Sequence, residues 1–478
     1  MLRHTTDEDV IADILGGVLR RRQYTLQALW EYRKWFLQLS EEQLEKDPAL
    51  SCGVVQMLLL QGDLDRAHVF LKKIPSASIY WHMTKLMLPG GDGEDLMHIV
   101  EVLKEQGYRR SGLTLTAGRP GVLNGTWDMT PYASKIMENK EETLGQIEVL
   151  YGELATSIYE VALAEKLYWE DDCYTALVHL VGIIPFLREQ KDMRLLFVAL
   201  TLEMYILVLH GQAATVEPLI KNLRQQIKEV DLEAYLPNID ALEAWAAMYD
   251  GNYALVARWL REAAPDEYSK FCMLDLFRYM IKMRAYIIQG KYLMVTALAG
   301  RLLPLLEAGR RYMDTCELHV LWAMSDYADG RKEEAFGHIE KALELSEQYK
   351  YDRLLADEGP RGLEVLKQYQ KAKGLKGKNP YLERIIAMTE KVAAIHPRYL
   401  KSQLPKQPAL TNTEMRVLRL LADYRTNAEI AEIIGMAEET ARKHCKHIFA
   451  KLEVKNRHQA VDKAVEYGLI EAKKNSIK

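Results

Sequence analysis

Apolar residues along most of the chain recur three and four positions apart, the spacing of a helix with one face in a core, and not at the alternation of a half-buried strand. In one stretch Leu242, Trp245, Ala246 and Tyr249 precede Asp250-Gly251-Asn252-Tyr253, and Leu255, Val256, Trp259 and Leu260 follow it. The same helix, tight turn and helix return at Trp169-Glu170-Asp171-Asp172-Cys173-Tyr174, His210-Gly211-Gln212, Gln289-Gly290-Lys291-Tyr292 and Asp329-Gly330-Arg331-Lys332. With Asp172 set equivalent to the glycines, the turns are 39, 40, 39 and 40 residues apart. A helix commonly ends on a residue at positive φ, which costs glycine little, so the period marks a repeated helical hairpin. One hairpin cannot bury both of its apolar stripes. The pattern therefore predicts an all-α stack of hairpins, a curved solenoid.

An earlier copy of the turn, Gln61-Gly62-Asp63-Leu64, lies 110 residues before Asp172. Between them stand Pro89-Gly90-Gly91-Asp92-Gly93 and a run from Thr114 to Trp127 that holds Gly118, Pro120, Gly121, Asn124 and Gly125. Such turn chemistry predicts an irregular insertion over about 76–150, read as a surface excursion in preference to a ligand pocket. Past Gly330 the repeat fades through helical segments to Leu400, and Ser402-Gln403-Leu404-Pro405-Lys406-Gln407-Pro408 reads as a short linker. The division is a repeat domain over 1–400, a linker over 401–408 and a terminal module over 409–478.

The terminal module reads as four short helices. Thr411-Asn412-Thr413-Glu414 and Thr426-Asn427-Ala428-Glu429 are capping boxes that mark two helix starts. The second helix carries Ile430, Ala431, Ile433 and Ile434 and stops at Gly435-Met436, a tight turn into the third. Along the third, Glu438 to Leu452, a core stripe of Ala441, Cys445, Ile448, Phe449 and Leu452 leaves Arg442, Lys443, Lys446 and Ala450 pointing elsewhere. Three cations beside small residues let a helix approach a duplex closely, with Arg442, Lys443 and Lys446 in reach of base edges or phosphates. Thr440, in the first turn, is expected to bond a phosphate through its hydroxyl or amide.

Charge sharpens the contrast between the parts. The 478-residue chain has a net charge of −4. Fifteen of its 63 Lys and Arg and ten of its 67 Asp and Glu fall in 401–478, a balance of +5, which leaves 48 and 57, or −9, for the rest. A basic module follows an acidic body, as expected if only one of them meets phosphate. The most apolar stretch, Leu195 to Leu209, is broken by Thr201 and Glu203 and falls short of the roughly 20 residues of a membrane span. It reads as a buried helix, and no membrane partner is expected. Acids at Asp7, Glu8 and Asp9 do not suit a secretory leader, and Cys52, Cys173, Cys272, Cys316 and Cys445 show no CxxC spacing, so a reducing cytoplasm is expected.

Enzymatic chemistry finds no motif. His179, His210, His319 and His338 lie in or beside repeat helices without HExxH or matched carboxylates and read as packing residues. His444-Cys445-Lys446-His447 diverges around a helix and reads as structural, so no metal site is expected. Gly377-Lys378-Asn379 lacks both the upstream glycine and the hydroxyl residue of a phosphate-binding loop, so no nucleotide cofactor is expected. Tyr174, Tyr253, Tyr292, Trp245, Trp259 and Trp322 are read as staples between hairpins in preference to a stacking site for a ligand.

Taken together, Leu410-Thr411, Glu414, Val417-Leu418, Asn427, Glu429-Ile430-Ala431, Gly435, Thr440, His444, Ile448, Lys451-Leu452, Asn456-Arg457 and Gln459-Ala460 make the stretch from Leu410 to Ile470 resemble the LuxR-type helix-turn-helix of bacterial regulators. Ala437, Ala441 and Tyr424 stand where that family usually has serine, valine and glycine. The resemblance implies DNA-binding roles for Thr440, Arg442, Lys443, Lys446 and Arg457. It also implies a dimer surface on the last helix, Arg457 to Tyr467, with Val461, Ala464 and Val465. More loosely, residues 20–400 are similar to the TPR-like helical-repeat part of maltose-regulator-like (MalT-like) proteins, through the period and Asp47-Pro48-Ala49-Leu50, without the ATPase domain that usually precedes it. The expectation is a TPR-like solenoid before a four-helix DNA-binding module. Its partners would be double-stranded DNA, RNA polymerase or another transcription component, a small-molecule or protein effector on the repeats, and a second copy on DNA. The alternative is an interaction scaffold whose terminal module mainly dimerises or binds a protein.

Overall fold

The computed structural model describes residues 8–20, 26–89, 93–107, 120–125, 128–190, 192–230, 232–401, 410–452, 454–466 and 469–470. Contacts divide the chain into two units, Met1–Lys401 and Ser402–Lys478. Among the described residues every regular element is a helix, and none is long and apolar enough to cross a membrane. The expected linker lies, apart from Lys401, outside the described residues.

One turn geometry recurs through the first unit. The chain reverses at a single residue of positive φ: Gly62 (76°), Asp171 (72°), Gly211 (78°), Gly251 (71°), Gly290 (66°) and Gly330 (88°). The next residue then donates its amide five residues back, Asp63 to Leu58, Asp172 to Leu167, Gln212 to Leu207, Asn252 to Ala247, Lys291 to Tyr286 and Arg331 to Asp326, all at 2.8–2.9 Å. This closure satisfies helix-end carbonyls that would otherwise lack partners. The register at the first of the regular turns differs by one from the sequence reading. Asp171, not Asp172, takes the left-handed position, and the intervals become 40, 40, 39 and 40 residues. Asp172 instead accepts the Thr175 amide at 3.1 Å and caps the following helix. Aspartate both tolerates positive φ and caps helices, so two adjacent aspartates cannot be ordered by residue type alone.

The first helices of the pairs, Ala155–Trp169, Met193–Leu209, Leu236–Asp250, Leu276–Ile288 and Tyr312–Ala328, are buried on most sides. The second helices show a narrower buried stripe, as in Val216–Glu229, where Val216, Ile220, Leu223 and Ile227 face inward. Contrary to the expected fading, the array continues past Gly330. Gly359–Ala372 and Pro380–Ile395 form another hairpin, with Gly374 at φ 60° and the Leu375 amide donating to the Gln370 carbonyl at 3.0 Å. The short helix Asp352–Ala356 intervenes and lengthens the period, which hid the copy.

The insertion is not a surface excursion. Ile79–Met87, Gly93–Glu105, Ala133–Glu138 and Lys140–Tyr151 are helices, while 108–119 and 126–127 lie outside the described residues. Pro120, Gly121, Leu123, Asn124 and Gly125 are buried. Glu165 accepts the amides of Val122 (2.7 Å) and Leu123 (3.0 Å). Asn124 donates to Asp314 at 3.2 Å, and the Met313 amide donates to Asp128 at 2.8 Å. Arg311, 1 % exposed, donates to the Gly125 carbonyl and to Asp314, each at 2.8 Å. A turn-rich segment needs partners for its backbone polar groups. Here side chains and backbone of the repeat helices supply them in place of water.

Contacts also reach beyond neighbouring repeats, unlike a strictly one-dimensional solenoid. Tyr168 donates to Asp357 at 2.7 Å, His396 Nε2 lies 2.7 Å from the Val208 carbonyl, and the rings of Tyr249 and Tyr399 stack with centroids 3.9 Å apart. Tyr253 ties its turn to the Arg398 carbonyl. Tyr174, read as a staple, is 80 % exposed and stands apart from this packing.

Removal of the Arg311 guanidinium tests how far the buried segment depends on it. Arg311→Met leaves the Asp314 carboxylate buried without its cation, a change that costs about 3–5 kcal/mol. In urea unfolding followed by far-UV circular dichroism, the array transition should move to clearly lower denaturant. An unshifted midpoint would show that the segment is held without the ion pair.

Candidate nucleic-acid interface

The second unit packs four helices, Asn412–Ala422, Asn427–Ile434, Glu438–Lys451 and Arg457–Glu466, around a core that includes Val417, Leu421, Ile430, Cys445 and Ile448. Both expected capping boxes are present. Thr411 Oγ1 accepts the Glu414 amide at 3.2 Å while Glu414 accepts the Thr411 amide at 2.7 Å, and Thr426 and Glu429 repeat the exchange at 3.3 and 2.7 Å. Gly435 closes the second helix at φ 82°, and the Met436 amide reaches back to the Ala431 carbonyl at 3.0 Å. This is the closure of the array turns again, and it sets the direction of the third helix. Ala437, without a hydroxyl, gives that helix no side-chain cap, and Tyr424 takes φ 59° where glycine would sit without strain.

Ala441, Cys445 and Ile448 are buried along the third helix, Leu452 is buried just beyond it, and Phe449 is partly so. On the other side Thr440, Arg442, Lys443, Lys446 and Ala450 are exposed, so the structure places four of the five expected DNA-binding residues on one open helix face. Among the described residues no ion pair reaches Lys443 or Lys446. Arg442 lies 3.5 Å from Glu438 and 3.4 Å from Glu439. These are exposed pairs within one helix, worth little in water, and a phosphate or guanine edge can replace them. Thr440 departs from one expectation. Its amide already donates to the Ala437 carbonyl at 2.9 Å, which leaves the hydroxyl as its contact group.

Arg457 and the last helix differ more. The Arg457 guanidinium donates to the Arg425 carbonyl at 2.6 Å and to Asn427 Oδ1 at 3.2 Å, so it ties the fourth helix to the start of the second. Cys445 Sγ lies 3.6 Å from the same Asn427 oxygen. Ala464 is fully buried in the module core and so presents nothing to a partner, whereas Val461 is only partly covered. The Val465 side chain, with Tyr467 and Gly468, lies outside the described residues. A period-based helix wheel cannot tell a dimer face from a core face when both are apolar.

A contact that local patterns could not supply locks the third helix in place. Lys451, at its C-terminal end, donates to Glu414 Oε2 at 2.6 Å across 37 residues of sequence. Burial by itself would raise the Glu414 carboxyl, but Lys451 and the amide and hydroxyl of Thr411 outweigh it and hold the group below its ordinary value of 4.5. Among the described residues no group of three His, Cys, Asp or Glu is arranged to hold a metal.

Residues 408–464 match the family model of bacterial regulatory proteins, luxR family, and residues 152–372 match the MalT-like TPR region. The chain is 35% identical over 71 residues to the spore germination protein GerE of Bacillus subtilis, which covers 15% of this chain and 96% of that protein. It is 44% identical over 61 residues to the transcriptional activator protein AnoR of Acinetobacter nosocomialis, covering 13% of this chain and 26% of the other. It is 36% identical over 77 residues to the HTH-type transcriptional regulator AlkS of Alcanivorax borkumensis, 15% and 9% of the respective lengths.

The depressed Glu414 carboxyl gives a pH signature. A carboxylate favoured by the fold adds stability above its unfolded value and loses it as pH falls through the folded one. The protection factors of the amides over 411–422 in the full chain, which remove the intrinsic pH dependence of exchange, should therefore hold down to about pH 4.5 and fall below it. Glu414→Gln should flatten that dependence and weaken the unit by roughly 1–2 kcal/mol. An acid response identical to the unmodified chain would dismiss the Glu414–Lys451 lock.

Proposed function

The chain belongs to the luxR family of bacterial regulatory proteins, and from that premise we propose that it regulates transcription as a sequence-specific DNA-binding protein controlled through its helical array. The observation that carries this reading is the outer face of Glu438–Lys451. Arg442, Lys443 and Lys446 stand exposed there beside the small Ala450, on a helix held rigidly from behind by Ala441, Cys445 and Ile448. A rigid cationic helix after a closed turn is the geometry that enters a major groove. The Arg442 fork and the two lysines then read base edges or neutralise phosphates, and the Thr440 hydroxyl contacts the backbone. Arg457 acts from behind, by fixing the angle between the second and fourth helices.

The array supplies the sensing part. A small molecule or a protein engages it and alters how the terminal unit meets DNA. The protein acts in the cytoplasm, binds as a homodimer on paired half-sites with Val461 on the available face of the last helix, and works with RNA polymerase or another transcription component. No catalytic step is assigned to it.

Genomic fragments selected by the purified chain provide the duplex for the test. Replacement of Arg442, Lys443 and Lys446 together by alanine should lower affinity for that duplex at least about 100-fold, and reduce the salt dependence by up to about 0.9 for each phosphate that is no longer neutralised. The melting temperature should hardly move, because all three side chains are exposed. An unchanged footprint and salt slope would refute groove binding by this helix and favour the scaffold alternative.

A further inference from the structure

The acidic average of the array hides a reversal at its end. Nine of its 48 Lys and Arg but three of its 57 Asp and Glu fall in 361–400, a balance of +6, which leaves 39 and 54, or −15, for 1–360. The last hairpin, Gly359–Ala372 and Pro380–Ile395, is therefore more basic per residue than the helix-turn-helix unit, which carries +5 over 401–478. Four lysines, Lys371, Lys373, Lys376 and Lys378, crowd its turn, and all four are exposed. Among the described residues no ion pair reaches any of them. Elsewhere on the same hairpin Lys367 is paired with Glu390 at 2.6 Å and Arg384 with Asp352. The hairpin thus pairs cations along its length and leaves those of its turn in water.

Helix stability does not account for the group. Lys371 and Lys373 stand at the end of the first helix of the hairpin, where the partial negative charge of the helix terminus favours cations. Lys376 and Lys378 stand just before Asn379, the N-cap of the second helix, where the terminus is positive and disfavours them. Two lysines there add to a field that the helix already carries, an unfavourable arrangement until an anion answers it. The turn is also open. Gly374 and Gly377 take φ 60° and 73°, and a side chain built at either would meet nothing within 4 Å. Glu383 reaches the turn to accept the Gly377 amide, which sets one carboxylate against four ammonium groups.

We propose that this turn is a second DNA-contacting surface, which binds backbone phosphates of the duplex flanking the sequence read by Arg442, Lys443 and Lys446. The proposal rests on the reading of the terminal unit as the DNA-binding part and adds a sequence-independent contact to it. Duplex DNA is the anion that suits the group. Its phosphates form a row of charges, about one per 1.7 Å of axis, and lysines engage such a row as point charges without fixed geometry. A single small anion meets only part of a cluster spread from Lys371 to Lys378. Covalent continuity brings the surface and the duplex together. The turn is one helix, about 24 Å at 1.5 Å per residue, from the last residues of the array, and residues 402–409 complete the path to Leu410. DNA held by the terminal unit is then at high effective concentration for a contact that is weak alone. The −15 of the rest of the array repels the duplex, so approach by the basic turn is favoured over approach by any other part.

The test compares two duplexes that carry the selected sequence, one trimmed close to it and one extended by about two helical turns on each side. The full chain should bind the extended duplex at least about tenfold more tightly than the trimmed one, and with a steeper salt dependence. Replacement of Lys371, Lys373, Lys376 and Lys378 together by glutamine should abolish that advantage and reduce the salt slope on the extended duplex by up to about 0.9 for each phosphate no longer neutralised. The same variant should bind the trimmed duplex within about twofold of the unmodified chain and keep its footprint over the selected sequence and its melting temperature, since all four side chains are exposed. Replacement of the four by arginine, which keeps the charge, should keep the advantage. Equal affinity of the unmodified chain for the two duplexes, or an advantage that survives the glutamine replacement, overturns the proposal and leaves the turn to an acidic protein surface. A chain that binds both duplexes equally loses only this inference, whereas one that binds neither loses the regulator reading on which it rests.

Discussion

A helix that must end inside a packed protein leaves carbonyls without partners, and at its array turns this chain meets that demand in one way. It places one residue at positive φ and returns the following amide to the carbonyl five residues back. Because the closure is the same each time, it fixes the angle between the two helices of a pair and the rotation of the first helix about its own axis. Positions at a constant distance before the turn then point the same way in every repeat. Tyr205, Trp245 and Arg284 come to share one cluster for this reason, and at Gly435 the same closure aims the third helix of the terminal unit.

The two units use charge in opposite ways. In the array many ionic groups are turned inward: Arg284 with Glu317 and Glu358, Arg311 with Asp314, Arg353 with Asp357. Buried pairs of this kind add little net stability over apolar packing, yet each is costly to break, so they fix one arrangement of the helices over others. Buried hydrogen bonds also join segments far apart in sequence, from Asn124 with Asp314 to Tyr168 with Asp357, and so tie together parts of the array that are not neighbours along the chain. In the terminal unit Arg442, Lys443 and Lys446 remain in water, and one partly buried pair, Lys451 with Glu414, braces the helix that carries them. That arrangement leaves the exposed cations available while their scaffold stays rigid.

Much of this was legible in the order of residues because it depends on short-range rules. The helical period, the glycine turns, both capping boxes and the two faces of Glu438–Lys451 need only the nearest few positions, and they led to an all-α repeat array and a helix-turn-helix. The cationic face could be read for the same reason, since exposure on a short helix follows from which side is apolar. Residues whose roles depend on distant partners could not be read. Arg457 looks like another exposed cation until its guanidinium is seen on Arg425 and Asn427, and Ala464 looks like an interface residue until it is seen inside the module core. Asp171 and Asp172 were indistinguishable because either can reverse a chain or cap a helix.

Sequence by itself determined the elements, their period and the side of the third helix that carries positive charge, since helix formation, turn closure and amphipathicity are settled within a few residues. Tertiary structure alone decided that the Gly- and Pro-rich segment at 120–125 is buried, that the array continues to Ile395, and that rings and carboxylates from different repeats meet in one cluster. Those outcomes depend on how the small rotation between successive hairpins accumulates, and on polar groups that find partners nearly two hundred residues away. No local rule carries that information.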